Sequence, residues 1–193
     1  MDIKTSIMKT INKIMNKNLA IILLLTIAPI FGFAQSSVFD KYEDMDDVST
    51  VVVTKQAFKL MGKIGGDTPE VQEYKEMVMN LNNLTVYTTE STQTALKMKN
   101  DVKSFLNSSK LSELVRIKDK DANVKIFIRE GKDEDHVSEL FMFINNLKSV
   151  DIDGRNPKAV VVSLTGNIDL NKISELTNKL NIPGGKHLEK ANQ

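Results

Sequence analysis

The stretch from 123 to 169 constrains the fold most, because three apolar patterns follow one another within it. Residues 123–130 are apolar at every second position, which predicts a strand with one buried face. Residues 158–166 are β-branched and nearly continuous, which predicts a more central strand. Between them, residues 135–147 predict a one-sided helix, because apolar side chains recur three and four positions apart at Val137, Leu140, Phe141, Ile144 and Leu147.

The rest of the chain predicts the same mixture of helices and strands. Period-two and β-branched runs indicate strands, and one-sided apolar spacing indicates helices. In chain order, these patterns predict a strand at 48–54, helices at 55–64 and 68–81, a strand at 84–90, a helix at 91–106, a hairpin of 114–118 with 123–130, and a final helix capped by Asp169.

The predicted elements indicate an α+β fold class. Every predicted helix is apolar on one side only, so the helices should cover one face of a mostly antiparallel or mixed sheet. We therefore expect a two-layer sandwich, ferredoxin-like in style. Both halves run strand, helix, strand, and both contain an Asn-Asn-Leu step, at 82–84 and 145–147, which suggests a duplicated β-α-β plan. The strand order stays open.

The N-terminus has the pattern of a secretory signal peptide. Lysines are spread through residues 1–18, an uncharged run follows at 19–30, and small residues precede Gln35. This pattern predicts a signal peptide at 1–34, cleaved between Ala34 and Gln35, and a single α+β domain at 35–193. The uncharged run is shorter than the ~20 residues of a membrane span, so none is expected after cleavage. The sequence leaves open a start at Met1, Met8 or Met15.

Composition narrows the chemistry further. The formal net charge is +1, which gives no overall attraction to nucleic acid. The chain has no Cys, so disulfides, thiolate nucleophiles and zinc–thiolate sites are excluded.

Several segments resemble an uncharacterised secreted family of Gram-negative envelopes, the DUF4252 family. They are Asp40–Val48, Leu84–Thr89, Lys97–Lys99, Asn123–Glu130, Asp133–Leu140 and Val160–Gly166. The resemblance covers roughly residues 38–188. It implies an exported protein, in agreement with the leader, and it supplies no activity and no catalytic residues. The family often has a lipoprotein cysteine at the processing site, and its absence here favours a soluble form.

No catalytic, metal or cofactor site is recognisable in the sequence. Residues 119–123 match the first ligands of an EF-hand loop, but Val124 stands where that loop needs Gly, so a hairpin turn is the better interpretation. His136 and His187 are far apart in sequence, and neither lies in a metal-binding motif. We expect His136 in the first turn of the predicted helix, among acids that favour the helix dipole.

One surface stands out in the predicted hairpin. Lys125, Phe127 and Arg129 should share the face of their strand that points away from Val124, Ile126 and Ile128. If the helices lie on the other face, this predicts an exposed Phe with cations around it, as a binding surface for an envelope protein or an anionic glycan. The candidate binding residues are Arg116, Lys118, Lys125, Phe127 and Arg129.

Two function classes remain. The first is a non-enzymatic, exported envelope binding or interaction module, periplasmic or secreted, which uses the sheet face or an edge strand. The second is a hydrolase-like envelope enzyme whose site cannot be recognised from sequence. A pocket lined by convergent polar groups would favour the enzyme, and a charged surface without one would favour the binding module. The sequence leaves the oligomeric state open.

Overall fold

A computed structural model describes residues 38–64, 66, 68–118, 120, 122–147 and 156–179. The elements in chain order are β1 (Val48–Thr54), α1 (Lys55–Met61), α2 (Pro69–Met79), β2 (Leu81–Thr89), α3 (Thr92–Ser108), β3 (Ser112–Lys118), β4 (Asn123–Glu130), β5 (His136–Asn145), β6 (Ala159–Asp169) and α4 (Ile173–Lys179), with short 3-10 helices at Asp40–Tyr42 and Leu170–Lys172.

The strands of the described chain form one six-stranded sheet in the order β1-β2-β6-β5-β4-β3. All five pairings are antiparallel. Four consecutive strands, β3 to β6, form a meander, and α3 carries the chain from β2 to the far edge where β3 lies. The α+β class is confirmed.

The predicted helix at 135–147 is wrong, because this segment contains strand β5. A register irregularity lies between Val137 and Glu139, where β5 pairs with β6. An irregularity of this kind lets Val137 and Leu140 pack on the same side of the sheet although they are three residues apart. The apolar spacing of three that suggested a helix is therefore the signature of an interrupted strand. Without this helix, the second half has no β-α-β unit, so the duplicated plan is also wrong.

The side of the sheet that carries Ile126, Met142 and Val162 is called face A. These side chains form one buried cluster with apolar residues of three helices, among them Phe58 of α1, Val78 of α2 and Leu176 of α4. In α2, Thr68 is the N-cap residue and its side chain accepts from Val71 N, while Pro69 is the first helical residue; both residue types are favoured at a helix start.

The opposite side of the sheet is called face B, and it is also covered. Met98 and Val102 of α3 form a second buried cluster with residues of face B, including Tyr87 and Phe141. Phe39, which precedes the 3-10 helix at Asp40–Tyr42, belongs to the same cluster. Helices therefore lie on both faces of the sheet, and the expected two-layer arrangement with helices on one face is wrong. The described strand order, with a meander of four consecutive strands, also differs from the expected ferredoxin-like plan of two β-α-β units in one sheet.

Candidate functional site

The alternation predicted for the hairpin is confirmed. Val124 and Ile126 are buried in the face A cluster, and Val115 and Ile117 of β3 pack against it. Residues directly opposite one another in an antiparallel pair lie on the same face. Arg116 is opposite Lys125 and Lys118 is opposite Asn123, so the candidate cations of β3 and β4 share face B.

Phe127, however, is not exposed. Its relative exposure is 7%, and it belongs to the same apolar cluster as Met98 and Val102 of α3. The prediction of an uncovered aromatic side chain is wrong because α3, itself correctly predicted as a one-sided helix, packs on face B rather than on face A. Phe127 contributes to the core and offers no stacking surface.

Two of the candidate cations are held by carboxylates. Arg129 donates to Glu139 Oε2 from Nη2 at 3.0 Å and from Nε at 3.1 Å, and its side chain is 38% exposed. Arg116 donates to both oxygens of Glu113, with Nε–Oε1 at 2.6 Å and Nη2–Oε2 at 2.5 Å. This bidentate pair holds the pKa of the Glu113 carboxyl below its ordinary value.

Three of the candidates, including the carboxylate-paired Arg116, form a charged surface at one edge of the sheet. Lys118 is exposed, Lys125 is half-buried, and the Arg116 side chain is 61% exposed. We call Arg116, Lys118 and Lys125 the basic corner. Arg116 and Lys125 are direct cross-strand neighbours, so the corner places two positive charges side by side.

Two buried tyrosines on face B have carboxylate partners. Tyr42 donates a hydrogen bond to Asp101 of α3, and Tyr87 donates to Glu43 at 3.2 Å. Burial, together with the nearby carboxylate, raises the pKa of both phenols well above the ordinary value. Tyr42 was not predicted as a core residue, because acidic residues surround it in the sequence. Its aromatic ring was a signal of burial in that segment.

The N-terminus of α3 is fixed by a third carboxylate. Asp47 Oδ2 accepts from Thr94 Oγ1 at 2.6 Å, and the backbone carbonyl of Asp47 accepts from Thr89 Oγ1 at 2.7 Å. The hydrogen bond from Thr94 is the main reason that the pKa of Asp47 lies below its ordinary value. Asp47 therefore joins the start of β1 to the first turn of α3 and to the end of β2.

The clearest pair with catalytic potential was not predicted. His136 is the first residue of β5 rather than part of a helix, and its Nδ1 lies 2.5 Å from Asp133 Oδ1. This contact lowers the pKa of Asp133. His136 lines a cleft of about 480 Å³ with Lys132, Asp133 and Leu170, and a smaller one of about 120 Å³ with Asn80, Asp169 and Lys172. A carboxylate that orients a half-buried imidazole is the arrangement of a general base.

Some expectations lie outside the described residues. They concern the signal peptide, the cleavage site at Ala34 and Gln35, His187, and Asp119 and Asp121 of the hairpin turn. Within the described chain, no group of three or more His, Asp and Glu side chains is placed to hold a metal ion. Of the helices that the structure describes, none is both long and apolar enough to cross a membrane.

Comparison with known proteins bears on the family alone. No curated protein and no solved structure matches the chain. A protein-family model described as Domain of unknown function (DUF4252) does match, over residues 42–176. These residues span β1 to β6 and most of α4, so the match includes the whole sheet and the helices on both of its faces. Because the match covers well over half of the 193 residues, the chain belongs to the DUF4252 family.

Proposed function

We propose that this chain is an exported, non-enzymatic binding module of the cell envelope that contacts its ligand through the basic corner. The observation that carries the proposal is the direct opposition of Arg116 and Lys125 across β3 and β4. Like charges on opposed residues destabilise a sheet unless a counter-charge is near. Glu113 supplies one carboxylate, and Lys118 adds a third cation, so the corner keeps an excess of positive charge that an anionic ligand would neutralise.

An anionic glycan fits this corner better than an acidic protein does. Protein interfaces gain most of their affinity from aromatic or apolar anchors at the centre of the contact. Phe127, the aromatic residue of this surface, is buried beneath α3 and cannot serve as an anchor. The corner therefore offers charge on flexible side chains without an apolar centre, which suits a polymer with repeated carboxylate or phosphate groups.

Other charged side chains on the face B side of the sheet have structural partners. Arg129 pairs with Glu139 on the neighbouring strand, and Asp101 accepts from Tyr42 and from Lys41 Nζ at 2.7 Å. Asp47 binds Thr94 at the start of α3. These groups hold elements of the fold together, so we place ligand binding at the exposed corner rather than on the covered part of face B.

Export to the periplasm or beyond belongs to the same proposal. The leader pattern of residues 1–34 supports it, as a basic region followed by an uncharged run and a small residue. The intact mass of protein purified from the envelope fraction should correspond to a chain that begins at Gln35. Full-length chain confined to the cytosol would contradict this step.

Binding is tested with a carboxylated polysaccharide such as polygalacturonate, with a neutral glucan of similar length as the reference ligand. The double variant Lys118→Glu and Lys125→Glu should lose at least tenfold in affinity and should keep its melting temperature. The control reverses two exposed lysines at the other edge of the sheet, Lys59→Glu and Lys63→Glu, with the same change in net charge.

Comparison of the corner variant with the control variant separates specific binding from an effect of net charge. Loss of affinity in the first variant and retention in the control support the basic corner. Equal losses would mean that the polysaccharide responds to net charge alone. No binding of the unchanged protein to either polysaccharide, with capture of an acidic envelope protein that depends on Lys118 and Lys125, would replace the glycan with a protein partner.

A hydrolase-like enzyme remains the second candidate, because the Asp133–His136 pair lies between two clefts. In this case His136 would take a proton from water or from a substrate hydroxyl, and Asp133 would orient the ring. The test is turnover of a panel of chromogenic esters and amides by the unchanged protein and by His136→Gln. Turnover that the substitution abolishes would favour the enzyme. No difference between the two proteins would contradict a catalytic role for His136, on which this candidate depends.

A further inference from the structure

The two edges of the sheet are chemically different. The β3 edge carries Glu113, Arg116 and Lys118, and charges of this kind protect an exposed edge from pairing with other strands. The β1 edge, residues 48–54, is Val-Ser-Thr-Val-Val-Val-Thr and has no charged side chain. Val51 and Val52 are 52% and 48% exposed, and they point to opposite faces. Within the described chain, no strand lies beyond β1.

Alternate residues of β1 direct their backbone groups away from the sheet. The carbonyl of Thr89 accepts from Lys158 N at 2.7 Å, so Thr89 points toward β6. Thr89 is opposite Val48, and the N–H of Val48 accordingly donates to Met45 O at 3.0 Å instead of to β2. Hydrogen-bonded and non-bonded pairs alternate along an antiparallel ladder. The outward-pointing backbone groups of β1 are therefore those of Val48, Thr50, Val52 and Thr54.

We propose that β1 pairs with β1 of a second copy of this chain, antiparallel and about a two-fold axis through Val51. In this register Thr50 of each copy exchanges backbone hydrogen bonds with Val52 of the other, and each of the seven strand residues lies opposite a residue of the second copy, while the N–H of Val48 keeps its bond to Met45 O. Val51 meets Val51 of the second copy on face A, at a closely spaced position without hydrogen bonds. Val52 lies beside the second copy's Thr50 on face B.

Charge favours a second copy over other occupants of this edge. The edge is uncharged and β-branched, so its best partner is a strand with the same two properties, and β1 itself is one. Addition of the β3 edge of another copy would bring Glu113, Arg116 and Lys118 against the valines, and head-to-tail addition of this kind would not close. The two-fold dimer closes, because its outer edges are the two charged β3 strands.

Helix α1 adds apolar surface next to the same edge. It follows β1 directly and packs on face A against β1 and β2. Leu60 is 60% exposed and Met61 is 36% exposed. In the proposed dimer the two copies of α1 lie on the same side of one continuous sheet, on either side of the axis, since a two-fold axis perpendicular to the sheet keeps face A with face A.

The test is the molar mass of the purified protein, measured by light scattering during size-exclusion chromatography over a range of concentrations. The unchanged protein should have the mass of two chains. Val51→Lys should reduce it to one chain, because the substitution places two like charges directly opposite each other across the axis. Val51→Glu should do the same. The two variants mixed in equal amounts should form a dimer again, because opposite charges then face one another.

Two further variants test whether charge in general, or the backbone of β1 in particular, controls the dimer. Leu114→Lys introduces the same charge at a 43% exposed position of the β3 edge and should remain dimeric. Val52→Pro removes an outward-pointing N–H and leaves the β1–β2 hydrogen bonds in place, so it should be folded by circular dichroism and a monomer by light scattering. A monomeric unchanged protein, or a dimer that persists in both Val51 variants, would overturn the proposal. If the unchanged protein is a monomer that binds an extended peptide, and Val52→Pro abolishes this binding, then the β1 edge pairs with another protein instead.

Discussion

The hydroxyl of Tyr42 donates to the carboxylate of Asp101, which ties the acidic segment before β1 to the middle of α3. The ring of Tyr42 is buried, and its hydroxyl is the polar end of a cluster that includes Phe39 and Tyr87. Tyr42→Phe should therefore lower the free energy of unfolding by about 1.5–3 kcal/mol, as expected for a buried hydrogen bond to a charged acceptor. Lys41→Met removes the exposed ion pair to Asp101 and the contact of the Lys41 ammonium with the Tyr42 ring, and it should cost about 1 kcal/mol in chemical denaturation.

The same contact predicts a loss of stability in alkali. The pKa of Tyr42 and of Tyr87 is raised in the folded state, so their contribution is complete below the ordinary pKa of 10.0 and is lost as pH rises through the folded-state pKa. The melting temperature of the unchanged protein should fall steeply above pH ~10. The double variant Tyr42→Phe and Tyr87→Phe should show a shallower fall, and equal slopes would contradict this origin of the pH dependence.

Asp47 predicts the opposite dependence, in acid. Its pKa lies below the ordinary 3.8 because the carboxylate accepts from Thr94, so its contribution is present above that value and disappears as pH falls through the folded-state pKa. Asp47→Asn should lower the melting temperature at neutral pH. The difference from the unchanged protein should shrink as the pH is lowered toward 3, whereas a difference that stays constant with pH would mean that charge on Asp47 is not involved.

Phe141 and Phe143 of β5 should contribute equally to the free energy of unfolding. A helix at 135–147 would place Phe143 off the apolar stripe and make its loss mild. In the strand both side chains lie on face B, with exposures of 1% and 3%, and the ring centroid of Phe141 lies 5.0 Å from that of Phe105 in α3. Truncation of either residue to Ala should cost about 3–5 kcal/mol in chemical denaturation. A much smaller loss for Phe143 would contradict the register of β5.

The sequence predicts most elements of this fold and assigns one of them to the wrong type. Residues 140–144, Leu-Phe-Met-Phe-Ile, are apolar without interruption, which is equally the pattern of a strand buried on both faces. Local spacing could not decide between the two, because the register irregularity after Val137 imitates a helical step. Tertiary contacts decide it, since β4 and β6 flank β5 on both sides.

The candidate surface was predicted only in part, because a local pattern shows how a strand alternates but not which helix covers it. Alternation along β4 correctly places Lys125, Phe127 and Arg129 on one face, because it depends only on the local geometry of a strand. Whether a helix covers this face is set by where α3 crosses the sheet, and no local pattern encodes that. The crossing follows from the topology, since α3 must carry the chain from β2 to β3 at the far edge. The Asp133–His136 pair was missed because its geometry depends on the true start of β5.

Substitution of Gly166, near the end of β6, should lower the stability of the fold strongly. Its φ is +151°, and a Cβ there would lie 2.5 Å from the carbonyl oxygen of Asn80 and 2.7 Å from Leu81 Cα. Gly166→Ala should cost at least about 1–3 kcal/mol, since both the backbone conformation and the neighbouring strand oppose a side chain. Gly66→Ala is the control, because among the described residues no atom lies within 4 Å of the Cβ position there. Equal melting temperatures for the two variants would contradict the close contact of β6 with β2.

Together, the basic corner and the proposed dimer predict binding that depends on ligand length. A dimer joined through β1 places its two basic corners at the outer ends of a continuous sheet, both on face B. With strands about 4.8 Å apart, these corners are separated by about 50 Å. A polysaccharide long enough to span this distance can bind both corners, and its second contact is then intramolecular.

Val51→Lys should therefore weaken the binding of long polygalacturonate by at least tenfold, although it adds a positive charge and leaves the basic corner unchanged. Binding of a short oligogalacturonate, which reaches one corner only, should stay within twofold of the unchanged protein when calorimetry measures both ligands. Leu114→Lys adds the same charge without breaking the dimer and should not weaken the binding of either ligand. Equal effects of Val51→Lys on the long and the short ligand would show that the two corners do not act together.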